Sequence, residues 1–423
     1  MNSSKTAMPK PSPTARADRL RRGRTAAYAA GHACVDVYQG AVAALVPYLV
    51  AERGYDYAAA SGIVLAASLL SSVVQPLFGA LTDRRPMPWL IPLSTAAAGL
   101  GVALVGADAG YPATVAAVAL SGLGAAAYHP AAARLVRTAL GGVGHTAMSW
   151  FALGGTVGFA CSPLLVAGAL SVSGPAAWWL LALPCVVGAV LNRPRKAPRG
   201  QTAAAREAAT EAAPEARSQG RPEATPDAAG AARRSPPDVP EDRRAFLRLS
   251  LVVVVRSVAF IGLSTFIALY VRECGGSGTA AAAALFALFA GSAGGTVLGG
   301  RLAARWGRTT TVRRAYAAAA PAVAGILFLP LPLVHVCAAL AAAALYVPLS
   351  LQVTLGQDYL PARMGTASGV TLGLTVSVGG VASPLIGAAA DATSLHTALL
   401  PLIGLPLAAW ALSRGLPEPE PAA

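Results

Sequence analysis

The sequence predicts an all-α polytopic membrane protein, with twelve transmembrane helices arranged as two pseudo-symmetric six-helix bundles. Three observations predict it. The 423-residue chain is 55% hydrophobic and only 12% charged, about half the charged fraction of an average soluble domain. Its apolar residues fall in blocks of about 20, the length that crosses a bilayer as a helix. A membrane β-barrel would instead show segments of about 10 residues alternating in polarity. Finally, the two halves of the chain match at one fixed offset.

Residues 1–25 form a basic arm with seven Lys/Arg and no cleavable apolar leader. Span 1 (26–50) is bounded by Arg24 and by Glu52–Arg53. Spans 2 to 6 follow at 58–81, 88–106, 111–133, 147–171 and 177–191. Residues 192–245 contain no Leu, Ile or aromatic side chain. They cannot bury a core and read as a disordered linker. Spans 7 to 12 follow at 246–271, 280–303, 315–332, 335–357, 364–390 and 397–412, and residues 414–423 form a tail. The domain reading is therefore an arm, a bundle over 26–191, a linker over 192–245, a bundle over 246–413 and a tail.

Orientation follows from Lys and Arg, which favour the cytoplasmic side. The arm carries seven, and the segment Arg193 to Arg244 carries eleven. Arg84, Arg85, Arg134, Arg137, Arg301, Arg305, Arg308, Arg313, Arg314 and Arg363 lie in loops on that same side, against only Arg53 and Arg272 opposite. Both termini are expected in the cytoplasm, with the chain in the inner (plasma) membrane. The net charge of +14 sits in these linkers, without aromatic interleaving, and no nucleic-acid partner is expected.

A shift of 221 residues lays Gly79 on Gly300, Leu81 on Leu302 and Arg84 on Arg305. It also lays Gly158 on Gly379 and Ser162-Pro163-Leu164 on Ser383-Pro384-Leu385. One offset serving spans 2 and 5 together indicates duplication. Parallel six-helix halves suit a transporter that rocks about a midplane site.

Asp36 stands near the middle of span 1, where an ionised carboxylate costs about 2.5–3.5 kcal/mol on insertion scales. His32 is one turn earlier, and Gln39 and Gly40 extend the same face. Burial disfavours the charge, so Asp36 can gain and lose a proton in the working pH range. A proton carrier or substrate contact is one reading; a permanent structural polar cluster is the other. Arg256 in span 7 neighbours Ser257, the residue onto which the shift carries Asp36. It is expected either to bind an anion or pair with Asp36, or to snorkel to the surface. Gln75 with Ser68, Ser71 and Ser72 forms a mild polar stripe on span 2. Tyr128 and His129, before Pro130, lie near the end of span 4 and read as cavity residues or as a proline-broken helix end.

Asp83, Arg84, Arg134, Arg305 and Asp358 sit at the loop ends of their spans and are the candidate gating charges. Gly154, Gly158, Pro163, Gly379 and Pro384 allow close helix approach and a bend. The five cysteines are scattered and no metal-ligand spacing occurs. The segment GGSGTAAAAALF (275–286) lacks the Gly-Lys-Ser/Thr ending of a phosphate loop. No enzyme, cofactor, metal or obligate protein partner is implied. A small-molecule substrate, protons and the lipid bilayer are the expected partners.

The loop after span 2, GALTDRRP (79–86), resembles the signature of the major facilitator superfamily, and GGRLAARWGR (299–308) resembles its second copy. GGTVGFACSP (154–163) resembles the Gly-rich, proline-ending signature associated with exporters. Three stretches are similar to the fosmidomycin-resistance branch: HACVDVYQG (32–40), AAYHPAAARLVR (126–137) and GQDYLPARMGTASGVTLGLTVSVGGVASPLIG (356–387). The sequence departs from the signature at Ala304, which replaces the acid found at Asp83, and at Pro86. Span 4 also lacks the buried arginine of many drug/proton antiporters. The resemblance implies the major facilitator fold and proton-coupled efflux of a drug-like or anionic compound, giving resistance. Uptake of a metabolite by the same fold is the alternative.

Overall fold

The computed structural model describes residues 13–84, 87, 89–140, 144–172, 176–192 and 241–419. Most of the arm's first half, nearly all of the linker and the last four residues lie outside the described residues. Among the described residues, nine helices are long and apolar enough to cross a membrane, and Ala177–Leu191 is a shorter apolar one. Arg308–Phe328 and Met364–Ala392 complete twelve spans.

Span 1 is a single helix, Pro13–Arg53, and so begins well before its apolar block. Residues 13–25 are rich in Ala, Arg and Leu, all strong helix formers. Span 2 is Tyr57–Arg84, span 3 Leu90–Leu104, span 4 Tyr111–Leu140, span 5 Gly144–Leu170 and span 6 Ala176–Leu191. Span 7 (Arg243–Glu273) starts three residues before its apolar block, capped by the Asp242 carboxylate on the Ala245 N–H. Span 8 is Gly278–Trp306. Span 10 is broken into Leu331–Tyr346 and Leu349–Tyr359 around Pro348, whose ring cannot continue the hydrogen-bond ladder. Span 12 is likewise split, into Leu395–Leu399 and Pro401–Ser413.

The packing repeats as the duplication predicts. Spans 1–5, 2–4, 3–4, 3–6 and 1–6 pack in the first half, and 7–11, 8–10, 9–10, 9–12 and 7–12 in the second. The halves meet where span 2 packs on span 11, span 5 on span 8 and span 1 on span 7. At the end of the molecule away from the chain termini, the halves are hydrogen-bonded. The Asp391 carboxylate accepts from the Tyr57 and Ala58 N–H groups at 2.8 and 2.9 Å, so it caps span 2 from across the interface.

Near the opposite end, the tail closes over the second bundle. Glu418 accepts from the Thr309 N–H and hydroxyl, each at 2.7 Å, and from Arg308 Nε at 3.2 Å. Partial burial opposes its charge, but these hydrogen bonds outweigh it and hold the carboxyl below its ordinary value.

Span 5 lies against span 1 because glycine is there. A Cβ at Gly158 would fall on the Ala33 carbonyl oxygen, and one at Gly154 on that of Ala29. Gly379, the repeat partner of Gly158, stands against the Ser257 carbonyl of span 7 in the same way. Gly168, lower on span 5, meets nothing within 4 Å. Gly158→Ala is therefore expected to lower stability by about 1–3 kcal/mol, read as a fall in melting temperature in detergent. Gly168→Ala should leave the melting temperature unchanged or raise it slightly.

Candidate functional site

Span 1 presents His32 and Asp36 on one face, four residues apart and so one helical turn. Span 4 brings His129 to the other side of the same carboxylate. Asp36 Oδ1 lies 3.0 Å from His129 Nε2, and Oδ2 lies 3.3 Å from His32 Nε2. Gln39, a further turn along span 1, donates its amide to Asp36 Oδ1 at 3.3 Å and lies 3.4 Å from His129 Nε2. His32 is buried at 7% exposure. Asp36 and His129 retain 14% and 21% exposure of their side chains.

Each imidazole is anchored through its far nitrogen. His32 Nδ1 lies 2.7 Å from the Phe151 carbonyl, and His129 Nδ1 lies 2.6 Å from that of Ala125. A carbonyl oxygen only accepts, so both Nδ1 atoms carry hydrogen. In its neutral form each ring then aims a bare Nε2 lone pair at the carboxylate. Lone pair facing lone pair is unfavourable, and a proton in either gap relieves it. Asp36, His32 and His129 thus form one polar unit. The structure adds His129 of span 4 to the His32–Asp36 pair expected on span 1.

The surroundings leave little slack. Phe151 stacks on His32 with centroids 4.0 Å apart and planes at 16°. Tyr128 is fully buried, 5.8 Å from the His32 ring, and its hydroxyl donates to Asn192 Oδ1 at 3.2 Å. A Cβ at Gly155 would fall on Asp36 Oδ2 and the His32 ring, so only glycine leaves room for the pair there. Phe151, Gly155 and Asn192 escape the sequence reading; the Gly154-Gly155 doublet is the one signal that points toward them.

Arg256 occupies a different cluster, in the second half. It is 1% exposed, which removes the surface-snorkelling alternative. Its Nη2 donates to Thr375 Oγ1 at 2.7 Å, and its guanidinium lies over Tyr346 at 5.3 Å. Its Nε is buried without a partner, and among the described residues no carboxylate pairs with it. Asp36 spends its own oxygens on the histidines and Gln39. Next to Arg256, Ser257 ties span 7 to span 11 by donating to the Thr375 carbonyl at 2.8 Å and accepting from the Gly379 N–H at 2.9 Å.

The remaining candidates fall elsewhere. Gln75 is exposed on span 2, and no contact joins it to either cluster. Arg134 donates to the Thr82 carbonyl, linking spans 4 and 2 near the end that carries the chain termini. Asp358 Oδ2 accepts from Arg308 Nη1 at 2.5 Å. Arg305 is exposed. The side chains of Ser71, Ser72, Asp83 and Arg84 lie outside the described residues. Pro163 and Pro384 stand inside spans 5 and 11. A cavity of 1110 Å³ opens near Trp178, Glu52 and Arg272, on the side away from the chain termini. None of the cluster residues lines it.

The anchoring makes a spectroscopic expectation. In 15N-histidine NMR spectra at alkaline pH, His32 and His129 should appear as Nδ1–H tautomers, with Nε2 unprotonated. An Nε2–H resonance from either residue would show that its carbonyl anchor is not formed.

Residues 28–384 match the family model of the Major Facilitator Superfamily. The fosmidomycin resistance protein of Escherichia coli K12 is 28% identical over 398 residues, covering 90% of this chain and 91% of that protein. A solved bacterial homologue of the human lysosomal transporter Spinster, in an inward-facing and occupied conformation, superposes with a TM-score of 0.71 at 16% identity. That match covers 93% of this chain and 96% of the other. A D-xylose–proton symporter superposes at 0.62 with 14% identity, covering 96% and 99%.

Proposed function

The chain belongs to the Major Facilitator Superfamily, and from that premise we propose that it exports a small drug-like or anionic organic compound in exchange for protons, by alternating access. It is a multi-pass membrane transporter and not an enzyme. One observation carries the proton reading: Asp36 is held between two imidazoles whose Nε2 atoms both face it. Such a unit takes up and releases protons without exposing a bare charge to the membrane interior.

Rocking of the two halves supplies the alternation. Asp391 latches one end shut, and its two hydrogen bonds to span 2 must break for that end to open. The Lys/Arg distribution supports a cytoplasmic position for the chain termini, and in this reading the latched end faces outward. Among the described residues Arg256 has no protein counter-ion, and it fits an anionic group on the substrate. Export is favoured by the relative named for fosmidomycin resistance. Uptake of a metabolite is the second reading, because a sugar–proton symporter shares the fold.

Vesicle flux after a pH jump separates the two, since exchange moves protons against the substrate and co-transport moves them with it. Asp36→Asn should abolish the stimulation of transport by a pH gradient while the protein still reaches the membrane. Undiminished gradient-driven flux in that variant would make Asp36 structural only. Arg256→Lys keeps the charge but not the planar fork. It should raise the half-saturating concentration of an anionic substrate without altering that of a neutral one.

A further inference from the structure

We propose that His32, Asp36 and His129 form a binding site for one divalent transition-metal cation. It concerns the same side chains as the proton reading but holds whichever way transport runs, and it rests on geometry alone. One ligand atom from each residue can be chosen so that all three lie within 4.8 Å of one another. Ligands bound to a tetrahedral ion at about 2.0–2.1 Å sit about 3.4 Å apart, so the widest pair has to draw in by no more than about 1.4 Å. Whichever Asp36 oxygen binds, one of its imidazole contacts, 3.0 Å from Oδ1 to His129 or 3.3 Å from Oδ2 to His32, is already near that spacing.

Two further features point to a cation. His32 is more than nine-tenths buried, yet its Nε2 has no hydrogen-bond partner. Asp36 Oδ2 is near it at 3.3 Å, but out of line for a hydrogen bond. A buried lone pair aimed at a carboxylate is poorly satisfied by protein alone. Both rings also donate Nδ1–H to backbone carbonyls, of Phe151 and Ala125. That outer hydrogen bond is the arrangement that fixes the tautomer and orientation of metal-bound histidine.

The donor set selects the metal. Two imidazoles and a carboxylate suit Zn²⁺, Co²⁺ or Ni²⁺. Calcium and magnesium prefer all-oxygen shells. Three protein ligands leave at least one position open, on the side where Asp36 and His129 keep their exposure. Turning over the Gln39 amide would bring its oxygen within reach as a fourth donor.

The test uses the full chain, purified in detergent without a histidine tag, stripped of metal and titrated with Co²⁺ alone. Wild type should bind one Co²⁺ per chain with a low-symmetry ligand-field spectrum, lose it to Zn²⁺, and melt at a higher temperature when loaded. His32→Asn and His129→Asn keep a side-chain N–H for the carbonyl but remove Nε2. Each should bind Co²⁺ at least about tenfold more weakly, the lower scale on which even supporting residues act. His335→Asn should bind as wild type does, because both ring nitrogens of His335 already contact carbonyl oxygens, of Leu331 and Ala280. Absence of saturable Co²⁺ binding by folded wild type would overturn the proposal. So would unchanged binding in the Asn variants at wild-type melting temperature. Asp36→Asn serves as the isosteric check if a histidine variant fails to fold.

Discussion

A carboxylate buried among membrane helices has no water to pair with, and every acceptor position must be met by protein. At Asp36, Gln39 donates to one oxygen, and His129 and His32 stand beside the two oxygens, where a shared proton or a cation completes the pairing. The histidines can serve only if their rings are held, which is the work of the Phe151 and Ala125 carbonyls. Span 5 must come close enough to supply the first of these carbonyls, and Gly154, Gly155 and Gly158 let it do so. The small residues of span 5, the backbone carbonyls of spans 4 and 5 and the chemistry of one acid are thus parts of a single constraint.

The two halves share a scaffold but differ in what they bury. Their helix pairings correspond one for one, and the repeat partners Gly158 and Gly379 meet the corresponding spans 1 and 7. Yet the first half encloses an acid between two bases, and the second a guanidinium among Thr375, Tyr346 and neighbouring hydroxyls. Small-residue packing is tolerant of what lines the interior, since it depends on backbone approach and not on the polar side chains. Duplicated bundles can therefore diverge chemically while keeping their fold.

The interface between the halves joins the two clusters to movement. Spans 1 and 7, which carry Asp36 and Arg256, also touch each other across it. A rotation of one half shifts both clusters relative to whatever lies between them. The Asp391 contacts with span 2 join residues 333 and 334 apart in sequence and cross between the halves. Exposed carboxylate-to-helix contacts of this kind are worth about 0.3–1 kcal/mol, small beside the stability of a whole fold.

The twelve spans, the paired bundles and the His32–Asp36 pair were legible in the sequence, because each depends on local pattern. Apolar block length decides spanning, one offset decides duplication, and a separation of four decides which residues share a helix face. What the sequence did not decide is which spans face each other and at what rotation. His129 reaches Asp36 from 93 residues away, and nothing local distinguishes that meeting from a proline-broken helix end. The repeat likewise put Arg256 near the depth of Asp36, but depth along an axis does not set rotation about it. Only the packed bundle assigned Arg256 to Thr375 and Tyr346, and added the second histidine to the His32–Asp36 pair. The physical reason is that a side chain's partners are set by the surfaces of several helices at once, each of which is fixed only when all are packed.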